Sequence, residues 1–249
     1  MATPFRARVD ALLAAHPVIV ANPFTNVFAR GGATVDDIRI LAVQFSVFSH
    51  LFIEAQVRKC LNADTIEGYR AAKEILMNEL GVVFGARGSV DGSRFRFDAA
   101  HFEWLADFCA ALGLGWNDIG KRRLGTPATL AFCDTLIGVY GAEDASTAAG
   151  ASYAIEHWAA AGFWKELIAG LQAFRDRAWP ELPLGFWTFH DAIEEQHAAH
   201  TADELGALMA QPTFDEARFL AAAREVLDAT WGFWDGLAQT TRVGALKIA

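Results

Sequence analysis

The sequence has no run of basic residues, and its 21 Lys and Arg are outnumbered by 30 Asp and Glu, for a formal charge of -9. An acidic chain of this kind is a poor match for nucleic acid or an anionic membrane surface. Cysteine is scarce: Cys60, Cys109 and Cys133 are an odd number, widely spaced, with no Cys-x-x-Cys pair. They read as free buried thiols of a reducing compartment rather than as a disulfide framework. Strand signals are also missing, because no alternating β-branched runs are separated by Asn-Gly or Asp-Gly turns. No apolar run approaches the roughly 18 uninterrupted residues that would span a bilayer. The opening segment MATPFRARVDALLAAHP lacks a signal-type apolar stretch and a cleavage site. The expectation is a soluble, cytoplasmic protein that binds neither nucleic acid nor membrane.

What is abundant is apolar and aromatic. The 249 residues are 53% hydrophobic and 12% aromatic, with 8 Trp and 19 Phe. A chain of this length buries roughly 70–75% of its unfolded surface, so this composition supports a thick core and argues against disorder.

Helix signals fill the chain. A short helix is predicted over Pro4 to Ala15, and a turn begins near Asn22. Thr34 caps a long helix from about Val35 to Leu61, and Asp64 or Thr65 starts another that runs to about Gly81. Gly85 to Asp98 reads as a loop, followed by a helix over Ala99 to Leu112. Thr126-Pro127 pairs an N-cap with proline at the first helical position, and that helix ends near Gly141. Helices are expected from about Glu143 to Arg177, from Leu184 to Met209, and from a Thr213 cap to about Gln239. The tail after Arg242 should fray. The fold class expected is all-α, a single compact bundle of seven to eight helices over residues 1–249, without linker or repeat.

The segment FHDAIEEQH carries the sharpest chemical pattern. His190, Glu194 and His197 fall within a sector of roughly 60° on a helix turning about 100° per residue. Two imidazoles and a carboxylate on one stripe suit iron, manganese or zinc better than calcium or magnesium. The same spacing also describes an exposed polar face extended by Glu195 and Gln196. Glu156 lies among Ala, Tyr, Ile, Trp and Phe, where a carboxylate is costly to bury unless paired, protonated or metal-bound; a narrow solvent stripe with Lys165 and Glu166 is the alternative. Glu79 and His101, at a helix end and the next helix start, are unremarkable alone. Together the six residues supply three carboxylates and three imidazoles on four helices, the kind of set from which helical bundles build di-metal sites. His50 with Glu54, His200 and His16 read as structural, peripheral or solvent-facing.

The ordered phrases NELG, HFEWL with ALGL, SYAIE and FHxxxExxH resemble the haem-oxygenase-like di-iron oxidases and oxygenases, over about Asn78 to Leu208. The resemblance implies a haem-oxygenase-like fold and two Fe(II) ions on Glu79, His101, Glu156, His190, Glu194 and His197, with dioxygen as co-substrate. The partner it implies is a small organic molecule, such as an amino acid or fatty acid, changed by hydrogen abstraction, N-oxygenation or C–C cleavage. The assembly is open to a homodimer. Two departures stand out. Twenty-one residues separate Glu79 from His101, more than is usual in the family, and Glu194 stands where many members have Asp. The rival expectations are a metal-free enzyme of the thiaminase or pyrroloquinoline-quinone-synthesis type, which shares the fold, and a helical binding protein without activity.

Overall fold

Several of the long helices start where a short polar side chain takes up backbone N–H groups that the helix leaves unpaired. The computed structural model describes the backbone of residues 4–83, 94–96 and 100–243, with side chains except at 83, 94, 95, 193–200 and 203. Helix α1 (Pro4–Ala15) leads into two single turns, α2 (Pro17–Val20) and α3 (Thr25–Phe28). Thr34 and Asp37 form a reciprocal capping box at the start of α4 (Val35–Leu61). Thr65 Oγ1 accepts from Gly68 N at the start of α5 (Ile66–Glu79). A two-residue antiparallel pair, β1 (Val82–Val83) and β2 (Arg94–Phe95), precedes α6 (His101–Ala111). Thr126 and Pro127 open α7 (Pro127–Thr135), as expected, and a π-helical turn continues it to Tyr140.

Two boundaries differ from the sequence expectation. The apolar run 143–177 is two helices, α8 (Ala145–Trp158) and α9 (Trp164–Ala178), separated by a π-helical turn at Ala159–Phe163. Gly162 there has φ +97°, which only glycine adopts without strain, so the chain kinks. After α10 (Gly185–Leu208), the cap of α11 (Glu216–Thr240) is Asp215 rather than Thr213. Asp215 Oδ1 accepts from Ala217 N and Arg218 N, and its own N–H donates to Ser146 Oγ, so it caps the helix and ties it to α8. The loop expected over 85–98 is described only at 94–96, and the tail after 243 lies outside the described residues.

Helix α4 is the axis of the bundle, flanked by α5, α6, α7 and α11. It is the one helix among the described residues long and apolar enough by composition to cross a membrane. Core helices of that length share this composition, and Ile38, Leu41, Phe45 and Val47 are fully enclosed here. Its buried polar group is matched on both sides: Gln44 Nε2 donates to Leu124 O, and Gln44 Oε1 accepts from Thr126 N and Thr129 Oγ1. An unmatched amide there would cost about 1–3 kcal/mol. The core is an aromatic mesh in which Phe45 contacts Trp164, Trp187, Phe233 and Trp234.

Helices α8 and α11 approach so closely that a Cβ on Gly150 would lie 2.2 Å from the backbone oxygen of Phe219. Around Gly232, also inside α11, nothing lies within 4 Å of such an atom. The two glycines therefore make opposite predictions. Gly150→Ala should destabilise the protein by about 1–3 kcal/mol through overpacking. Gly232→Ala should stabilise it by roughly 0.5–1 kcal/mol, because it improves helix propensity in open space. Denaturant midpoints of the two variants should shift in opposite directions.

Candidate metal centre

Glu79 is the last residue of α5 and His101 the first of α6. The long insertion between them does not separate them, because its two ends are pinned together. Val82 pairs with Phe95 and Val83 with Arg94, and Arg96 N donates to Gly81 O. Gly81 makes this closure: its φ is +93°, and a Cβ would meet Arg96 O at 2.4 Å and Ala100 N at 3.0 Å. His101 follows directly. Its Nδ1 lies 2.9 Å from Glu79 Oε2, on a residue only 2% exposed.

That contact is close but is not an aligned hydrogen bond: His101 Nδ1 has no hydrogen-bond partner. Two donor atoms held side by side in this way fit a shared cation better than a shared proton. His190, on α10, completes a group of three. One ligand atom each from Glu79, His101 and His190 lie within 4.8 Å of one another. Metal–ligand bonds of roughly 2.0–2.2 Å place opposed donors up to about 4.4 Å apart, so a small adjustment of the side chains would suffice.

The imidazoles are held rigidly. His190 Nδ1–H donates to Phe186 O at 2.7 Å, which puts the lone pair of the neutral ring on Nε2. Trp164 stacks on His190 at 5.2 Å, and Trp104 stacks on His101 at 5.6 Å. The two imidazole rings are perpendicular, 4.9 Å apart.

Glu79 and His190 open onto a cavity of about 80 Å³ that Glu156 of α8 also lines. The other walls are largely Phe45, Phe48, Phe52, Phe163 and Trp164. Of the six expected site residues, the structure thus brings four to one place: Glu79, His101 and His190 as a cluster, and Glu156 on the shared cavity. Glu194 and His197 lie on α10 beyond His190, with side chains outside the described residues, as is that of His200.

Two polar residues of the cavity were not expected from sequence. Gln56 is 3% exposed, its Oε1 has no hydrogen-bond partner, and it lines the cavity together with Ser49. Both belong to a stripe on α4, positions 45, 48, 49, 52 and 56, whose helical spacing is visible in the sequence. Beside the centre, Tyr140 is fully buried. Its phenol is held well above the ordinary tyrosine range, first by burial and then by the charges of Glu156 and Glu204.

The remaining histidines have other work. His16 Nδ1 accepts from Val18 N as the cap of α2, and its Nε2–H donates to Asp228, so both ring nitrogens are used within the fold. His157 Nδ1–H donates to Tyr153 O, and its ring stacks on that of Tyr153 at 3.7 Å. His50 packs edge-on against Phe102, while Glu54 pairs with Arg58.

No protein-family model matches the sequence, and no curated protein matches it. Solved structures do. A domain of unknown function with a haem oxygenase-like fold from Shewanella denitrificans superposes with a TM-score of 0.63 at 15% identity, covering 95% of this chain and 89% of that one. A CADD-like protein of unknown function from Nostoc punctiforme gives 0.65 at 21% identity, covering 95% and 94%. A TenA homologue from Pseudomonas syringae pv. tomato gives 0.63 at 12% identity, covering 94% and 90%. The fold is haem-oxygenase-like and all-α.

Two predictions follow from the local geometry. Gly81→Ala should cost about 1–2 kcal/mol from a side chain at positive φ and roughly 1–3 kcal/mol more from the clash of its Cβ with the Arg96 and Ala100 backbone, and should weaken any metal binding that needs Glu79 beside His101. Normal metal affinity in a destabilised Gly81→Ala protein would show that the hairpin closure does not set that pair. His50 is held below its usual pKa by burial and, secondarily, by Lys121. The unfolded chain therefore takes up this proton more readily than the folded one, and stability falls as pH drops below about 6.5. His50→Gln should lose less stability than the parent between pH 7.5 and 5, as read from denaturant midpoints.

Proposed function

We propose that the chain is a non-haem di-iron oxidoreductase that activates dioxygen and acts on a small organic substrate. The observation that carries this reading is the convergence of Glu79, His101 and His190, with His101 Nδ1 against a carboxylate oxygen and no hydrogen bond made there. In this reading Glu156, Glu194 and His197 complete the ligand set. Two ferrous ions bound there would supply the electrons and open coordination positions that dioxygen activation requires.

The protein's own contribution is geometric and electrostatic. The Phe186 carbonyl orients His190, and the stacked indoles of Trp164 and Trp104 hold the two rings in place. Phenyl rings along α4 give the cavity a largely apolar wall, which strengthens charge interactions inside it. Gln56 and Ser49 offer polar contacts to whatever enters. The space of about 80 Å³ accepts a small reacting group. In this reading the substrate is an amino acid, a fatty acid or a related metabolite, and the step is hydrogen abstraction, N-oxygenation or C–C cleavage.

Anaerobic reconstitution with Fe(II) should give close to two metals per chain, and the loaded protein should consume dioxygen. At metal a hundredfold above Kd, stability should rise by about 2.7 kcal/mol, equivalent to roughly 5–10 °C in Tm for a chain of this size. Glu79→Ala, His101→Ala, His190→Ala and His197→Ala should each lose at least one metal, while His200→Ala retains both. Circular dichroism should show the fold intact in each. Zero metal under several anaerobic conditions would sink the reading and leave a metal-free enzyme of the thiaminase type or a binding protein.

A further inference from the structure

A second and larger cleft, about 500 Å³, lies at the other end of α5, between the start of that helix, the C-terminal end of α4, the start of α8 and the end of α10. Small side chains leave it open. Ala71, Ala145, Ala148, Ala149 and Ala207 stand where larger side chains would interdigitate and close the gap. Ala148 is buried but lies outside the main core cluster. A pocket of this volume is in the range that holds small-molecule ligands.

The polar groups of the cleft are arranged by depth. Lys59 and Glu204, with side chains 11% and 29% exposed, form an ion pair at 3.2 Å. Lys59 Nζ also donates to the buried Ser152 Oγ at 2.9 Å and sits 5.2 Å from the centre of the Tyr140 ring. An ammonium has three N–H groups, so these two hydrogen bonds leave one to offer. The other charged residues lining the cleft, Asp64 and Glu67, are both acidic and exposed.

The lining thus presents one cation and one anion side by side, with further negative charge nearby and an apolar wall alongside. A monocarboxylate would satisfy Lys59 and be repelled by three carboxylates. An amine would satisfy the carboxylates and meet Lys59. An α-amino acid carries carboxylate and ammonium on one carbon, which matches opposed charges 3.2 Å apart, and leaves its side chain for the alanine wall. We propose that this cleft binds a free α-amino acid with an apolar side chain, its carboxylate on Lys59 and its ammonium on Glu204. The site is separate from the metal centre and does not depend on it.

The test is calorimetric titration of the full chain with L-norleucine, hexanoate and pentylamine, which share one hydrocarbon chain and differ in head group. L-norleucine should bind at least about tenfold more tightly than either, since each charged hydrogen-bond partner lost costs about that factor or more. Lys59→Met and Glu204→Gln should each remove that preference. Because Lys59→Met also strips a partner from Ser152, Ala148→Leu serves as a second variant that fills the space and leaves the charges in place. It should abolish binding with the fold intact by circular dichroism. His190→Ala should bind L-norleucine as the parent does. Equal affinity for hexanoate, binding that survives Ala148→Leu, loss of binding in His190→Ala, or no binding of any of the three would each overturn the proposal.

Discussion

The constraint around which the molecule is arranged is the placement of carboxylates against aromatic rings. Glu79 and Glu156 border a cavity walled mainly by phenylalanine and tryptophan, where an uncompensated negative charge is expensive. The surrounding features answer that cost. His101 is brought against Glu79 by a hairpin closure, and His190 is turned toward the same point by a backbone carbonyl. A buried cluster of polar groups is a weak source of stability by itself. The aromatic mesh around it carries the fold, and the polar cluster is what that mesh is able to hold.

Helix α4 divides these duties between its faces. Along one run, Phe45, Phe48, Ser49, Phe52 and Gln56 form the cavity wall. On another, Gln44 locks the start of α7 through three hydrogen bonds, and Ser46 Oγ accepts from Gly120 N. At its start, Asp37 caps the helix and also accepts from Arg242 N, so the end of α11 is fastened to the beginning of the central helix. At its far end, Lys59 belongs to the alanine cleft. One helix therefore connects both candidate sites, with its buried side chains fixed by packing rather than by loops.

The helices were legible because their starts are chemically explicit. Thr34 with Asp37, Thr65, and Thr126-Pro127 each place an acceptor or a proline where an N-terminus needs one. The break between α8 and α9 was not legible, since Gly162 sits in an apolar run whose composition is helical on both sides. Thr213 and Asp215 are both competent caps, and only the contact of Asp215 with Ser146 on a distant helix decides between them. At the site, His190 followed from helical spacing and Glu156 from its apolar flanks. The closeness of Glu79 and His101 depends on a two-residue strand pairing across a long insertion, which no local pattern announces. Gln56 and Ser49 carry no chemical pattern of their own, and only the packing of α4 turns their face toward the cavity.

The turn at Ala159–Phe163 sets the phase of everything that follows it. In an uninterrupted α-helix, Glu156 and Trp164 would point about 80° apart, since eight residues advance two full turns and part of a third. The wider turn takes up an additional residue, and the glycine kink redirects the axis, so that both side chains border one cavity. The chain gives up a stretch of regular hydrogen bonding there and gains a wall made from two helices instead of one. The composition of that wall is thus governed by how many residues the turn contains, a property of spacing that substitution at any single lining position leaves untouched.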